Sequence, residues 1–292
     1  MKIKYEHKNL RVSSLNRIVE INEIIEEYRK QGFTLTLRQL YYQFVARGLI
    51  PNTQRSYDRL GEMLNKARLA GLVDWNAIID RTRSLEHQSS WGSVGDIIKS
   101  CANGFTLDLW ADQDYIVEVW IEKQALIGVI QPVCDELFVP YFGCKGYVSQ
   151  SEQWRAGRRI LRRYKDTGKE TIIIHLGDHD PSGIDMTRDN DRRLQMFSED
   201  NCTVERIALN MDQVQHYRPP PNPTKMTDSR SPDYVKKYGH YCWELDALEP
   251  SVIADLIRDE VDQWRDIDKF DAREELSSKG RDKLQKIAKI IT

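Results

Sequence analysis

The chain has 292 residues, of which 40% are hydrophobic, and a formal net charge of −2 at pH 7. This length suits one large domain or two of ordinary size, and the hydrophobic content excludes disorder as the main state. No run of about 18 apolar residues predicts a membrane span, and the opening MKIKYEHKNL lacks the apolar segment of a secretory signal. Five widely spaced cysteines without a CxxC pair argue against a disulfide framework or a cysteine-rich zinc site, so we expect a cytoplasmic protein.

Charge is distributed unevenly along the chain. Residues 1–100 carry 16 basic and 11 acidic residues, whereas residues 101–292 carry 27 and 34. A basic front and an acidic back suggest two separate roles, although ordinary variation between two surfaces would look the same.

Three short helices are predicted in the first part of the chain. Apolar residues at helical spacing predict a helix over 14–31, Thr36 can cap a second helix in LRQLYYQFVAR, and SYDRLGEMLNKARLAG predicts a third. The following LVDWNAIIDRTR could supply a short strand or wing. This pattern favours a winged-helix-like DNA-binding domain over residues 1–95, with a plain helical bundle as the alternative.

A different rhythm begins near residue 115, beyond a boundary placed somewhere in 85–114. The apolar runs YIVEVWI, VPYF, TIIIHL and TVERIAL alternate with helical stretches, which predicts an α/β domain with a parallel sheet over residues 110–292. Residues 217–232 are rich in proline and predict a long loop, and further helices end the chain.

Carboxylates stand where two of these strands should end. Glu122 closes YIVEVWIE, and Asp178 and Asp180 follow TIIIHL in LGDHDPSG. Functional groups of parallel sheets collect beyond the carboxyl ends of the strands, and three carboxylates form the oxygen cage that Mg²⁺ prefers. The residues after Asp180 suggest a sharp exit turn. A solvated acidic loop is the alternative for the Asp-x-Asp pair alone.

The sequences VWIEKQAL and, about 55 residues later, LGDHDPSG resemble a Toprim domain, and the DxDPxG form and YFGCKGYVSQSEQW resemble the A subunit of topoisomerase VI. The resemblance implies that Glu122, Asp178 and Asp180 hold Mg²⁺, or Mn²⁺ in its place. Glu118 lies earlier in its strand and is the weaker candidate, and we expect His179 to point away from the metal, towards supporting side chains or solvent.

The second predicted helix contains two adjacent tyrosines. Leu37, Leu40, Tyr41, Phe44 and Val45 form one apolar stripe, which assigns Tyr41 to the core. Tyr42 lies about 100° further round the helix, off the centre of this stripe, so the periodicity predicts a presented rather than a packing side chain. It shares a face with Arg38, whose cation could favour the phenolate and hold a phosphate.

The Arg-x-x-Tyr-Tyr pattern resembles the motif of topoisomerase VI A subunits and of the related meiotic double-strand-break transesterase. In that family the second aromatic position is the nucleophile, in a winged-helix domain ahead of the Toprim domain. The resemblance therefore implies that Tyr42 is the nucleophile and that Arg38 assists it. Two purely structural tyrosines are the alternative.

Basic side chains suggest where DNA could bind. Five arginines lie on one face of the helix SEQWRAGRRILRRYK, with few acidic residues to offset them, and this face suits either phosphate or subunit contacts. Lys225 and Arg230 could line a DNA channel, and Glu244 and Asp246 in WELDAL, which also resembles the family, are interpreted as structural or supporting. The DNA-binding candidates are Arg59, Lys66 and Arg68 of the third helix and Arg155, Arg158, Arg159 and Arg162 of the arginine face.

The resemblance implies a Mg²⁺-dependent DNA-cleaving transesterase that binds duplex DNA as a homodimer, with tyrosine and metal contributed by different protomers. The chain lacks a GxxxxGK[ST] loop, so no nucleotide is expected on it, and the family's ATPase is a separate subunit. Two alternatives remain, a hydrolytic Toprim nuclease and a non-catalytic DNA-binding subunit.

Overall fold

The computed structural model describes residues 1–78, 88 and 90–291. No helix in these ranges is long and apolar enough to cross a membrane. The helices are α1 (Val12–Lys30), α2 (Leu37–Ala46), α3 (Gln54–Leu69), α4 (Val94–Gly104), α5 (Ile127–Glu136), α6 (Gln150–Thr167), α7 (Pro181–Ser198), α8 (Met211–Tyr217), α9 (Ser231–Tyr238), α10 (Pro250–Trp264) and α11 (Ile267–Ile291). The strands are β1 (Ile116–Ile121), β2 (Tyr141–Gly143), β3 (Thr171–Leu176), β4 (Cys202–Ala208), β5 (Asn222–Pro223) and β6 (Tyr241–Cys242).

The first three helices form where the sequence predicts them. Thr36 begins α2 with a reciprocal capping box, in which its hydroxyl accepts from the Gln39 N–H and the Gln39 side chain accepts from the Thr36 N–H. Their apolar faces meet in one core that includes Ile21, Leu40 and Phe44. The predicted strand or wing falls partly on residues 79–83, which lie outside the described residues.

The second part of the chain is an α/β unit around a four-stranded sheet, as predicted. All strand pairs are parallel, in the order β2-β1-β3-β4. Side chains alternate between the two faces: Val117, Val119 and Ile121 join one core, whereas Trp120 joins the other. Both faces are therefore buried, which explains why these strands read as almost continuous apolar runs.

Helices cover each face of the sheet. On one face α5 and α10 pack against the strands, with Ile130 and Ile257 fully buried. On the other face α6 and α7 pack against each other and the strands, with Ile160 and Leu194 buried. The helix α4 packs along the terminal helix α11.

The proline-rich segment is not a simple loop. It contains β5, which pairs antiparallel with β6, and its end begins α9. The same region contacts the N-terminal helices, since Asn52 Nδ2 donates to Asn222 Oδ1 at 2.7 Å. Tyr28 donates to Glu249, and Ala247 is buried within the core of the N-terminal helices. The two parts of the chain therefore share an interface.

Candidate functional site

The carboxyl ends of β1 and β3 bring two predicted site residues together. The two strands are neighbours, and the strand order reverses between them, because β2 lies on one side of β1 and β3 and β4 lie on the other. Glu122 directly follows β1, and the N–H of Asp178 donates to its Oε2 at 2.9 Å. Such a reversal point leaves a crevice beyond the strand ends, where ligands bind in open α/β sheets.

Asp180 has a structural task beside these two carboxylates. Its Oδ1 accepts from the Gly183 N–H at 2.6 Å, which makes it the N-cap of α7. The predicted exit turn is thus the first turn of a helix, with Pro181 at its start. Gly183 lies so close to the strand end that a Cβ there would come within 2.3 Å of the Asp178 carbonyl oxygen.

An open cleft of about 1040 Å³ lies over this edge of the sheet. Its walls come from both parts of the chain, because Arg38 and Gln54 of the N-terminal helices line it together with the strand ends. The exposed Lys145 and Lys225 line it too. The sequence predicts Lys225 at this place but does not single out Lys145. The acidic side chains that line the cleft are Glu122, Asp178, Asp180, Asp228, Glu244 and Asp246.

Lys123 is the residue at the centre of this acidic group. Its ammonium Nζ lies 2.9 Å from Asp178 Oδ2, 2.8 Å from Glu244 Oε2 and 2.9 Å from Asp246 Oδ1. Burial alone would lower the pKa of Lys123, but the charges of the three carboxylates outweigh it and hold the pKa well above its usual value. The lysine is therefore a fixed cation. Sequence reasoning missed it, although its place next to Glu122 in WIEK was a signal.

Arg38 connects the second helix to the same carboxylates. Its guanidinium pairs with Glu244, and its Nε lies 3.1 Å from Asp246 Oδ2. Burial would raise the pKa of Glu244, yet Lys123 and Arg38 lower it to about 2. Glu244 and Asp246 thus have a structural role, because they join α2 to the end of the sheet.

Tyr42 lies next to Arg38 but is not presented to solvent. Only 3% of its surface is exposed, and the Arg38 Cζ is 5.7 Å from the centroid of its ring. Among the described residues, its hydroxyl has a single long hydrogen-bond contact, from Asn222 Nδ2 at 3.5 Å. Burial raises the pKa of Tyr42, and the negative charges of Asp246 and Glu244 raise it further.

The prediction that Tyr42 is presented is therefore wrong for this conformation. Arg38 lies beside it as predicted and lowers its pKa, but burial and the two carboxylates outweigh that effect. Helical periodicity describes one helix at a time, and the face that carries Tyr42 is covered by residues about 180 positions further along the chain. Tyr41 is buried as predicted, and its hydroxyl lies 2.8 Å from Asn52 Oδ1.

The chemistry of the strand-end carboxylates fits a hard divalent cation. Burial, and to a lesser extent the charges of Asp178 and Asp180, raises the pKa of Glu122 to about 7, so a bound cation would favour its charged form. The side chains of Glu122, Asp178 and Asp180 do not converge on one point, and no compact group of three potential metal ligands occurs among the described residues. The reason is local: Asp180 caps α7, and Asp178 is held by Lys123. Glu122, Asp178 and Asp180 are the residues that would hold a metal.

Glu118 has a different role from the strand-end acids. It is buried in the middle of β1 and accepts hydrogen bonds from Arg159 and, at 2.8 Å, from Arg163. Trp120 Nε1 also donates to it, at 3.2 Å. These contacts link α6 to the sheet. Glu118 lies in the middle of β1 and is therefore not one of the acids at the carboxyl end of the strand.

The arginine face of α6 is less positive than the sequence suggested. Arg159 and Arg163 are paired with Glu118, Arg155 pairs with Glu152, and Arg158 lies 3.6 Å from Glu199. The premise that few acidic residues offset the face is therefore wrong, because Glu152 of the same helix and two acidic residues from β1 and the end of α7 pair with it, and helical spacing does not show the last two. Arg162 is exposed, and the described part of the chain offers it no ion pair. DNA contact by this face stays a prediction.

The basic residues of α3 are placed differently from one another. Arg59 is exposed, and Lys66 is exposed beside Glu62 at 3.8 Å. Arg68 instead donates to the carbonyl oxygens of Trp75, at 3.1 Å, and Ile78. Arg68 therefore holds the segment after α3, and DNA binding by it stays a prediction.

Of the two surroundings expected for His179, the structure shows supporting side chains rather than solvent: it is buried, with its Nδ1 2.8 Å from the Tyr234 hydroxyl. Arg230 is not among the residues that line the cleft, because it pairs with Asp185 and Asp228.

Comparison with the models of known protein families gives no match, and a search of curated proteins gives none either. The function of the chain is therefore inferred from the geometry of the cleft and from the motifs that meet in it.

Proposed function

We propose that the chain is a Mg²⁺-dependent DNA-cleaving enzyme that acts by tyrosine transesterification, with a winged-helix-like N-terminal part and a Toprim-type sheet resembling the topoisomerase VI A subunit. One observation carries the proposal. Arg38, next to Tyr42, shares Glu244 and Asp246 with Lys123, and Lys123 also holds Asp178 at the strand end. The proposal is supported because Arg38 of the Arg-x-x-Tyr-Tyr motif and the carboxylates at the strand ends line one cleft.

In the proposed reaction the phenol oxygen of Tyr42 forms a bond to a backbone phosphorus of DNA. The bond from that phosphorus to the 3′ oxygen breaks, which leaves the protein joined to the 5′ end. The phenol proton passes to water, and the departing 3′ oxygen takes a proton from water. Arg38 binds the phosphate. A divalent cation held by Glu122, Asp178 and Asp180 supplies stabilisation of negative charge on phosphate and leaving oxygen when bound.

This reaction requires Tyr42 to become accessible. In the present conformation, Asn222 and the segment that carries Glu244 and Asp246 cover it. The proposal therefore includes a separation of α2 from that segment when DNA enters the cleft. The exposed Lys145 and Lys225 lie where they would attract the phosphate backbone.

The assembly belongs to the same proposal. By its resemblance the protein acts on duplex DNA as a homodimer, with a separate ATPase subunit as a further partner. Arg38 lies beside carboxylates of its own chain, so a site completed within one chain is an alternative to one shared between protomers.

The decisive experiment compares two substitutions that each remove one hydroxyl. With Mg²⁺ or Mn²⁺ and supercoiled DNA, the Tyr42→Phe chain loses both cleavage and the protein–DNA adduct that survives denaturant. The Tyr41→Phe chain keeps both, because that hydroxyl bonds to Asn52 within the fold. Cleavage by Tyr42→Phe at the wild-type rate would refute the nucleophile.

Hydrolysis by water is the second candidate function, and the burial and raised pKa of Tyr42 favour it. In that case the same carboxylates hold the metal, and both phenylalanine variants cut DNA. Free 5′ phosphates without any adduct would identify this outcome.

A further inference from the structure

Lys123 occupies a position in the cleft that is shaped for a cation. Three carboxylate oxygens, from Asp178, Glu244 and Asp246, lie 2.8 to 2.9 Å from its ammonium nitrogen. These oxygens come from two segments far apart in the sequence. The Asp246 side chain is only 1% exposed, so solvent does not screen this contact.

Acidic side chains outnumber basic ones at the floor of the cleft. Five carboxylates meet there: Glu122, Asp178, Asp180, Glu244 and Asp246. Three cations are close to them: Lys123, Arg38 and the partly buried Arg206, whose charge acts on Glu122, Asp178 and Asp180. A bound cation would therefore reduce the repulsion among these carboxylates.

We propose that Lys123 is a built-in counter-ion that limits the cleft to one divalent cation. This inference rests on the proposed function, because it takes Glu122, Asp178 and Asp180 as the residues that hold that ion. The ammonium fills the space between Asp178, Glu244 and Asp246 that a second divalent cation would need. Through Glu244 and Asp246 it also fixes Arg38, so Lys123 is a positioning residue for the helix that carries Tyr42.

The test counts bound Mn²⁺ by equilibrium dialysis and calorimetry on the full chain, without DNA and independently of cleavage. The wild-type chain binds one ion. The Lys123→Met chain binds two, because the substitution removes the ammonium at similar side-chain length and leaves three carboxylates around the vacated space, of which Glu244 and Asp246 keep their contacts with Arg38. If this variant is unfolded in EDTA, recovery of its fold on addition of Mn²⁺ is the expected result.

Two control variants distinguish the effect of the position of Lys123 from the effect of removing a positive charge anywhere in the cleft. Lys145→Met removes the same charge from the same cleft, but the described residues show no carboxylate held by Lys145, so this variant still binds one ion. The Lys123→Met/Asp246→Asn chain restores the charge balance and returns to one ion.

Three results would overturn the counter-ion role: two ions in the wild type, one or none in Lys123→Met, or a second ion gained equally by Lys145→Met. The counter-ion role of Lys123 and the proposed cleavage function can be refuted independently of each other. Two ions in the wild type together with tyrosine-dependent cleavage would overturn the counter-ion alone. One ion in the wild type and two in Lys123→Met, without any cleavage, would overturn the transesterase and leave the counter-ion.

Discussion

The two adjacent tyrosines should respond in opposite ways in assays of stability and activity. The hydroxyl of Tyr41 donates to Asn52 Oδ1 at 2.8 Å, and Asn52 in turn donates to Asn222. The Tyr41→Phe substitution removes that donor and leaves a partly buried acceptor without it, which costs about 1 to 2 kcal/mol. The hydroxyl of Tyr42 has only a 3.5 Å contact, so Tyr42→Phe costs less than about 0.5 kcal/mol.

These free energies translate into measurable shifts of the melting temperature. For a chain of 292 residues the entropy of unfolding is about 0.6 kcal/mol/K, so Tyr41→Phe lowers the midpoint by about 2 to 3 °C and Tyr42→Phe by less than about 1 °C. Calorimetry and urea unfolding in EDTA provide the measurement. The less destabilising substitution should be the one that abolishes the adduct. An equal or larger loss of stability in Tyr42→Phe would refute the hydrogen-bond assignment.

Two further predictions concern α6. Reversal of Arg158 and Arg162 to Glu should weaken duplex binding at low salt by a similar factor for unrelated DNA sequences, as measured by fluorescence anisotropy. Reversal of the exposed Lys283 and Lys286 on α11 should leave the affinity unchanged. If the Arg158/Arg162 variant binds DNA as tightly as the wild type, this face of α6 does not contact DNA. Gly157→Ala should destabilise the chain by about 2 kcal/mol in urea unfolding, because the new Cβ would come within 2.3 Å of α7, and unchanged stability would show that the two helices separate without cost.

The sequence was sufficient for features that depend on neighbouring residues. The apolar run IVEVWI predicted a strand of the parallel sheet, and the cap at Thr36 placed the start of α2. The positions of Glu122 and Asp178 at strand ends followed from the same local patterns, since parallel strands place their carboxyl ends on one edge.

Features that depend on distant residues were beyond the same reasoning. Tyr42 is covered by Asn222, and Arg159 is neutralised by Glu118 from β1. Lys123 meets Glu244 and Asp246, more than a hundred residues away. The periodicity within one helix or strand contains no information on such contacts. Sequence patterns therefore predict the secondary structure of a residue better than they predict the exposure of its side chain.

The burial of Ala247 among the N-terminal helices limits how this chain can be divided. A fragment ending near residue 78 would lose that side chain and the partner of Tyr28, and would expose apolar surface where they pack. The N-terminal helices therefore cannot be exchanged as an independent unit. A chimera that joins foreign helices to this sheet must also contain a segment complementary to those helices in place of residues 243–249. Without it, the surfaces of the helices and of the sheet domain will not pack against each other.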